Sequence, residues 1–150
     1  MATRLKDFAT KVVAVVEPDT SALIMAQLMR LHHVGALVVV DAEERSRAVG
    51  IVSDRDLVLE LIAEELDPAV FTAGDIMSEN LVIANPEMDA TDAVQLMNEH
   101  QVRRVIISDE LGRLVGIVTM EDILELFAHE LALLAAGMAG AREREVNLRH

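Results

Sequence analysis

The chain has 150 residues, 52% of them hydrophobic, with 13 basic against 26 acidic side chains and a formal net charge of −13. That content suits one compact domain or two closely fused small ones and excludes intrinsic disorder, while a sequence pI near 4.6 argues against broad electrostatic binding of nucleic acid, whose phosphates such a surface repels. The absence of cysteine excludes a disulfide framework and thiolate metal sites, and with no recognisable signal sequence it sets the expectation of a cytoplasmic protein.

In chain order, β-branched runs, helical periodicity and turn residues predict a strand over Val12 to Val16, a helix over Asp19 to His32, strands over Ala36 to Val40 and Ala48 to Val52, and a helix over Asp54 to Ala63. The second half predicts the same order: a strand at Leu81 to Ala84, a helix at Asp89 to His100, strands at Val105 to Ser108 and Leu114 to Val118, and a helix from Met120 to about Leu134. The connection before Leu114 is a hairpin in which Gly112 can take a positive φ. The longest uninterrupted apolar run, Leu131 to Ala141, is shorter than the roughly 18 residues of a membrane span, so no membrane contact is expected. The tail after Gly140 is charged and reads as helical or frayed, either a solvated end or a partner contact.

The two halves are copies of one unit. At a spacing of 68, Asp7, Pro18, Gln27, Leu28, Met29 and His32 fall on Asp75, Pro86, Gln95, Leu96, Met97 and His100. Beyond Asp41 the spacing becomes 66, so that Gly50, Ile51, Val52 and Asp56 fall on Gly116, Ile117, Val118 and Asp122. The first copy therefore carries two extra residues in the charged segment between Asp41 and Gly50, where an insertion costs least. A mixed α/β (α+β) fold follows, in which two β-α-β-β-α units pack with pseudo-twofold symmetry. The units are expected at residues 5–66 and 73–134, with a tail at 135–150.

The first helix of the second copy has one apolar stripe, through Ala90, Ala93, Val94 and Met97. Its counterpart in the first copy is apolar nearly all round, from Leu23 and Ile24 to Met29 and Leu31, and must be covered on a second side. A homodimer interface would cover it; the alternative is packing on the segment Arg4 to Phe8 or on the C-terminal helix.

The segments Gly50-Ile-Val-Ser-Asp-Arg-Asp56 and Gly116-Ile-Val-Thr-Met-Glu-Asp122 both run from a strand into a helix. Ser53 and Thr119 stand as N-cap residues beside free N–H groups and the positive end of a helix, which suits a phosphate. Asp56 and Asp122, three residues later, can accept two hydrogen bonds from the vicinal hydroxyls of a ribose. The plainer reading is a capping box, in which both side chains only satisfy backbone donors. The recurrence of the segment after Gly-Ile-Val in otherwise diverged copies favours a ligand cleft.

The repeated unit, the Pro18-Asp19 and Pro86-Glu87 pairs before each first helix, and the G-h-h-S/T-x-x-D segments resemble a tandem pair of CBS domains, a Bateman module, over about Leu5 to Leu126. The resemblance implies two units packed sheet to sheet and two clefts for adenosine-containing ligands. It implies that Asp56 and Asp122 hold ribose hydroxyls and that Ser53 and Thr119 meet phosphates. The adenine would lie near Val13 and Val15 or Leu81 and Ile83, and near Ala36 or Arg104. Val38 and Ile106 stand where the family often has Pro, and Val15 and Ile83 where it often has Thr, so the base pocket is expected to be more apolar.

Arg55 adds a cation at one cleft and Arg103 and Arg104 at the other or across the axis, unless that pair is balanced by Asp109 and Glu110. Asp54 and Glu121 oppose a triphosphate, which favours AMP or ADP over ATP, with S-adenosylmethionine or NAD as further options and no required cofactor. None of the five histidines lies in a tight metal-ligand spacing, and no nucleophile motif appears, so neither a metal site nor an enzyme is expected. The expected function is a stand-alone energy-sensing regulatory module that signals to a separate effector protein. The alternative is an interaction scaffold with empty, degenerate clefts.

Overall fold

In a computed structural model that describes residues 3–10 and 14–148, each half forms one three-stranded sheet with helices on its outer side. The first half contains α1 (Leu5–Phe8), β1 (Val15–Val16), α2 (Ala22–His32), β2 (Ala36–Val40), β3 (Ala48–Ser53) and α3 (Asp54–Leu57), which runs on as a π-helical segment, Val58–Ile62. The second contains α4 (Ala73–Ile76), β4 (Ile83–Ala84), α5 (Ala90–His100), β5 (Arg104–Ser108), β6 (Leu114–Thr119) and α6 (Met120–Leu148). The sheet orders are β1-β2-β3 and β4-β5-β6, with the first pair of each parallel and the second antiparallel. This is the mixed α+β architecture expected of a duplicated unit.

The copies agree in small features. Both antiparallel ladders carry an irregularity at the same place, between Val39 and Val40 and between Ile107 and Ser108. Helices α2 and α5 open on N-caps, with Ser21 accepting from the Ile24 N–H and Asp89 from the Asp92 N–H. Both end on a left-handed residue, His33 at φ 54° and Gln101 at φ 54°. Gly112 sits at φ 78° in the β5–β6 hairpin, as its position predicts.

The central strands are apolar over Ala36–Val40 and Val105–Ile107 because both faces are buried there. Leu37 and Val39 of β2 turn to the core beneath α2 and α3, and Val105 and Ile107 of β5 turn to the core beneath α5 and α6. Between them Val38, Val40 and Ile106 form the layer where the two sheets meet, bordered by Val15, Leu81 and Leu114. Each such side chain taken from water contributes about 1.5–3 kcal/mol.

Several elements differ from expectation. The short helices α1 and α4 carry no readable periodicity, and they cross between the halves. Leu5 is fully buried in the second core, with its N–H donated to Met88 O at 2.9 Å and that of Lys6 to Pro86 O at 3.1 Å. Reciprocally, Ala73 lies in the first core and donates to Thr20 O at 2.8 Å, and Gly74 donates to Pro18 O at 2.8 Å. Each unit is thus completed by the segment that precedes the other, so the segment Arg4 to Phe8 is not what covers α2. Leu23, Ile24 and Leu31 of α2 remain exposed, and the C-terminal helix does not cover them either. Among the described residues β1 is limited to Val15–Val16, and β4 to Ile83–Ala84 rather than starting at Leu81. Helix α6 does not stop near Leu134: no proline or left-handed residue interrupts it, and it continues unbroken to Leu148 with only Ile123 buried. By length and composition α6 would suffice to cross a membrane.

Candidate functional site

The strand-to-helix turns place Ser53 and Asp56 at the head of α3. The Ser53 side chain accepts the Asp56 N–H at 3.1 Å, and Asp56 Oδ2 accepts the Ser53 N–H at 2.8 Å. Thr119 and Asp122 repeat the arrangement at 3.1 and 3.0 Å at the head of α6. Both segments are therefore capping boxes in fact. Each box uses one carboxylate oxygen; Oδ1 of Asp56 and of Asp122 accepts no hydrogen bond among the described residues and keeps its lone pairs for a further donor.

Beside Asp56 a cleft of about 280 Å³ opens between the halves. Its apolar wall is Ile51 from β3 with Leu81, Val82, Val102 and Ile106 from the second half; Ser78 and Asn80 from the connecting segment add polar groups. Arg103 and Arg104 border both this cleft and an adjoining polar concavity of about 440 Å³, which also takes in Ser53, Asp54, Arg55 and Glu121. The composite therefore joins an apolar slot that holds the Asp56 carboxylate to a polar concavity that holds Arg55, with Ser53, Arg103 and Arg104 at the border between them.

Local structure fixes these positions. The Ser78 N–H donates to Ile51 O at 3.0 Å and the Ile51 N–H to Ser78 O at 3.1 Å, so the connecting segment is strapped across β3. The same bridge recurs between Thr10 and Ile117, at 3.1 and 3.0 Å. Both glycines before these isoleucines are required by the strap: a Cβ on Gly50 would enter the Met77 side chain, and one on Gly116 would come within 2.8 Å of the Thr10 carbonyl. Arg103 donates to Glu121, and its carbonyl accepts the Met120 N–H at 2.8 Å. The Glu121 carboxyl is held below its usual range, first by its own backbone N–H and then by Arg103 and Arg104. Arg104 and Asp54 both lie over Gly35, where a Cβ would stand 3.6 Å from the Arg104 guanidinium and 3.4 Å from Asp54 Oδ2.

Of the residues singled out in the sequence, Ser53, Arg55, Asp56, Leu81, Arg103 and Arg104 converge on this composite cleft. The arginine pair is not balanced by Asp109 and Glu110, because Asp109 pairs with Arg113 at 2.8 Å and Arg103 with Glu121. Ile83 does not line the cleft: it stands on an edge strand with 52% of its surface exposed, and its neighbour Val82 takes the wall position. Val15 lies in the layer between the sheets. Ala36 pairs with Ser53 in the β2–β3 ladder, and Thr119 pairs with Arg104 in the equivalent one. By the internal repeat Val102, Arg103 and Arg104 correspond to Val34, Gly35 and Ala36, so among the described residues the equivalent positions of the first half carry no cation. Val13 lies outside the described residues. Sequence reading missed Ser78, Asn80 and Val102; their signal was the equivalence of Ser78 with Thr10 and of Val102 with Val34, each directly after a left-handed helix cap. Among the described residues no three His, Cys, Asp or Glu side chains come together in a way that could hold a metal ion.

Two β-α-β-β-α units packed sheet to sheet around such a cleft define a CBS pair. The chain belongs to the CBS-domain family, whose pattern matches residues 5–63 and 73–129. It is 40% identical over 119 residues to the CBS domain-containing protein YhcV of Bacillus subtilis, covering 79% of this chain and 81% of that one. It is 35% identical over 126 residues to an uncharacterised protein of Methanopyrus kandleri, covering 84% of this chain and 63%, or less than two thirds, of that relative. Among solved structures, Hypoxic Response Protein I with two coordinated zinc ions superposes with a TM-score of 0.70 at 35% identity, covering 82% of this chain and 98% of that one. A CBS domain protein of Pyrobaculum aerophilum complexed with AMP superposes with a TM-score of 0.74 at 22% identity, covering 85% and 99%.

Proposed function

We propose that this chain is a regulatory, non-enzymatic module that binds an adenosine mononucleotide in the Asp56 cleft and signals its occupancy to a separate effector protein. The observation that carries the reading is the set of groups that line the composite cleft together. The apolar slot suits a purine, the unused Oδ1 of Asp56 suits a ribose hydroxyl, and Arg55, Arg103 and Arg104 suit a phosphate. Asp54 and Glu121 in the polar concavity disfavour a third phosphate, so AMP or ADP is favoured over ATP. AMP bound to a protein of the same fold supports the ligand class. Because the cleft is built from both halves, a ligand bridging them biases their relation, and the differential contact is what a sensor requires. The exposed apolar side of α2 supports a homodimer in which a second copy covers it, and the absence of cysteine agrees with a cytoplasmic setting.

A thermal-shift titration with AMP, ADP, ATP, S-adenosylmethionine and NAD, with and without Mg²⁺, tests the reading. A ligand specific to the folded state stabilises it by about 2.7 kcal/mol at 100 times its Kd. Stabilisation by AMP or ADP is the expected result. No shift with any of the five, in protein that melts cooperatively, would favour a scaffold whose capping boxes serve the helices alone.

A further inference from the structure

The distal part of α6 projects from the body with its apolar side chains in water. Leu131 is 67% exposed, Leu134 63% and Met138 62%. These fall on a strict seven-residue repeat: Leu124, Phe127, Leu131, Leu134, Met138 and Leu148 occupy its two apolar positions, and Ala141 fills another. A repeat of three to four heptads on one exposed face is the signature of a helix that pairs with another.

We propose that α6 pairs antiparallel with α6 of a second copy of this chain. Charge chooses the orientation. In a parallel pair the remaining seam position, Glu145, would meet its own copy in the same layer. In the antiparallel register Leu134 faces Met138 of the second copy, Leu131 faces Ala141, and Leu124 faces Leu148. Glu145 moves away from its twin, to the layer of Phe127. The flanking Glu130, whose carboxylate among the described residues accepts a hydrogen bond only from Thr3 Oγ1 at 3.4 Å, then comes opposite Arg144 twice by symmetry. Gly137 and Ala135 lie at the middle of the seam, where small side chains let the helices approach. A bilayer fits the same helix less well, because Glu125 and Glu130 lie within the apolar stretch and the chain carries a net charge of −13.

The natural lack of cysteine makes the orientation directly readable. The full chain would be prepared as Leu131→Cys and as Ala141→Cys, each checked for an unchanged melting transition, and the two proteins oxidised separately and mixed. In the antiparallel pair Leu131 faces Ala141 of the second copy, whereas two copies of the same position lie about 15 Å apart, beyond the roughly 7 Å that a disulfide spans. The expected result is a mixed disulfide between the two variants and none within either alone. Arg144→Glu should weaken self-association in sedimentation by roughly threefold to tenfold, since two exposed ion pairs are lost per dimer, and Glu130→Arg added to it should restore it. Self-linking of Leu131→Cys would overturn the proposal in favour of a parallel pair. Absence of the mixed disulfide overturns it whatever the mass in solution, and protection of the helix from proteolysis only on adding phosphatidylcholine–phosphatidylglycerol vesicles would replace it with a membrane surface.

Discussion

Gly116→Ala is expected to destabilise the protein more than Gly50→Ala, although the two glycines are equivalent in sequence. The methyl group at residue 116 would stand 2.8 Å from the Thr10 carbonyl oxygen and 3.5 Å from the Ala9 methyl. That carbonyl is fixed by accepting the Ile117 N–H at 3.0 Å, so the strap itself must shift by several tenths of an ångström. Overpacking of this kind costs about 1–3 kcal/mol, and for a chain of this size each kcal/mol moves Tm by about 2–4 °C. At residue 50 the methyl group would run into the Met77 sulfur and stand 2.8 Å from its Cγ and 3.0 Å from its Cβ; the thioether can turn aside but the Cβ moves only with its backbone, so the loss should fall at the lower end of that range, about 1 kcal/mol. Thermal and urea unfolding of the three proteins followed by circular dichroism measures the difference. Equal losses, or a larger loss for Gly50→Ala, would refute the strap at Thr10 and with it the crossed arrangement of the N-terminal segment.

Leu5→Ala should cost about 2–5 kcal/mol, read by urea unfolding, because it opens a cavity in the second core rather than the first. Arg104→Ala should weaken AMP binding roughly tenfold or more in equilibrium dialysis, the loss of one charge-assisted contact. The Glu87 carboxyl is held below its usual range, first by the hydrogen bond from the Lys6 ammonium, which ties the N-terminal segment to the second unit. Its contribution is therefore present above the ordinary carboxyl value and lost as pH falls through the lowered one. Glu87→Gln should lower Tm at pH 7 and converge with the parent protein at pH 3, and a gap that persists or widens at pH 3 would contradict the assignment.

The duplication made most of the fold legible. The shared Gly-Ile-Val segments gave the strand-to-helix turns, and the apolar runs at Ala36 to Val40 and Val105 to Ile107 gave strands buried on both faces. The crossing of α1 and α4 was not legible, because four-residue helices show no period and their partners lie in the other unit. The continuation of α6 past Leu134 had a signal, since Arg142 to Glu145 are good helix formers with no breaker before them, but their charge suggested a solvated tail. At the site, Ser53 and Asp56 could be picked out from spacing alone. Which half supplies the facing wall could not, since the placing of Arg103 and Arg104 in the same cleft as Asp56 is set by how the sheets meet at Val38, Val40 and Ile106. Ile83 was misplaced for the same reason: period-two alternation gives a face, but not how far the opposing sheet extends over an edge strand.

Isothermal titration of AMP into the parent protein, Asp56→Ala and Asp122→Ala tests the nucleotide cleft most directly. The two aspartates make matching capping boxes, so both substitutions cost similar stability and differ only in the cleft they face. Asp56 lines the same cleft as Arg103 and Arg104, whereas Asp122 lines neither that cleft nor the adjoining concavity. Heat of binding that is lost in Asp56→Ala and largely retained in Asp122→Ala is the expected result. Unchanged binding in Asp56→Ala, with the protein folded, would contradict the assignment of the cleft.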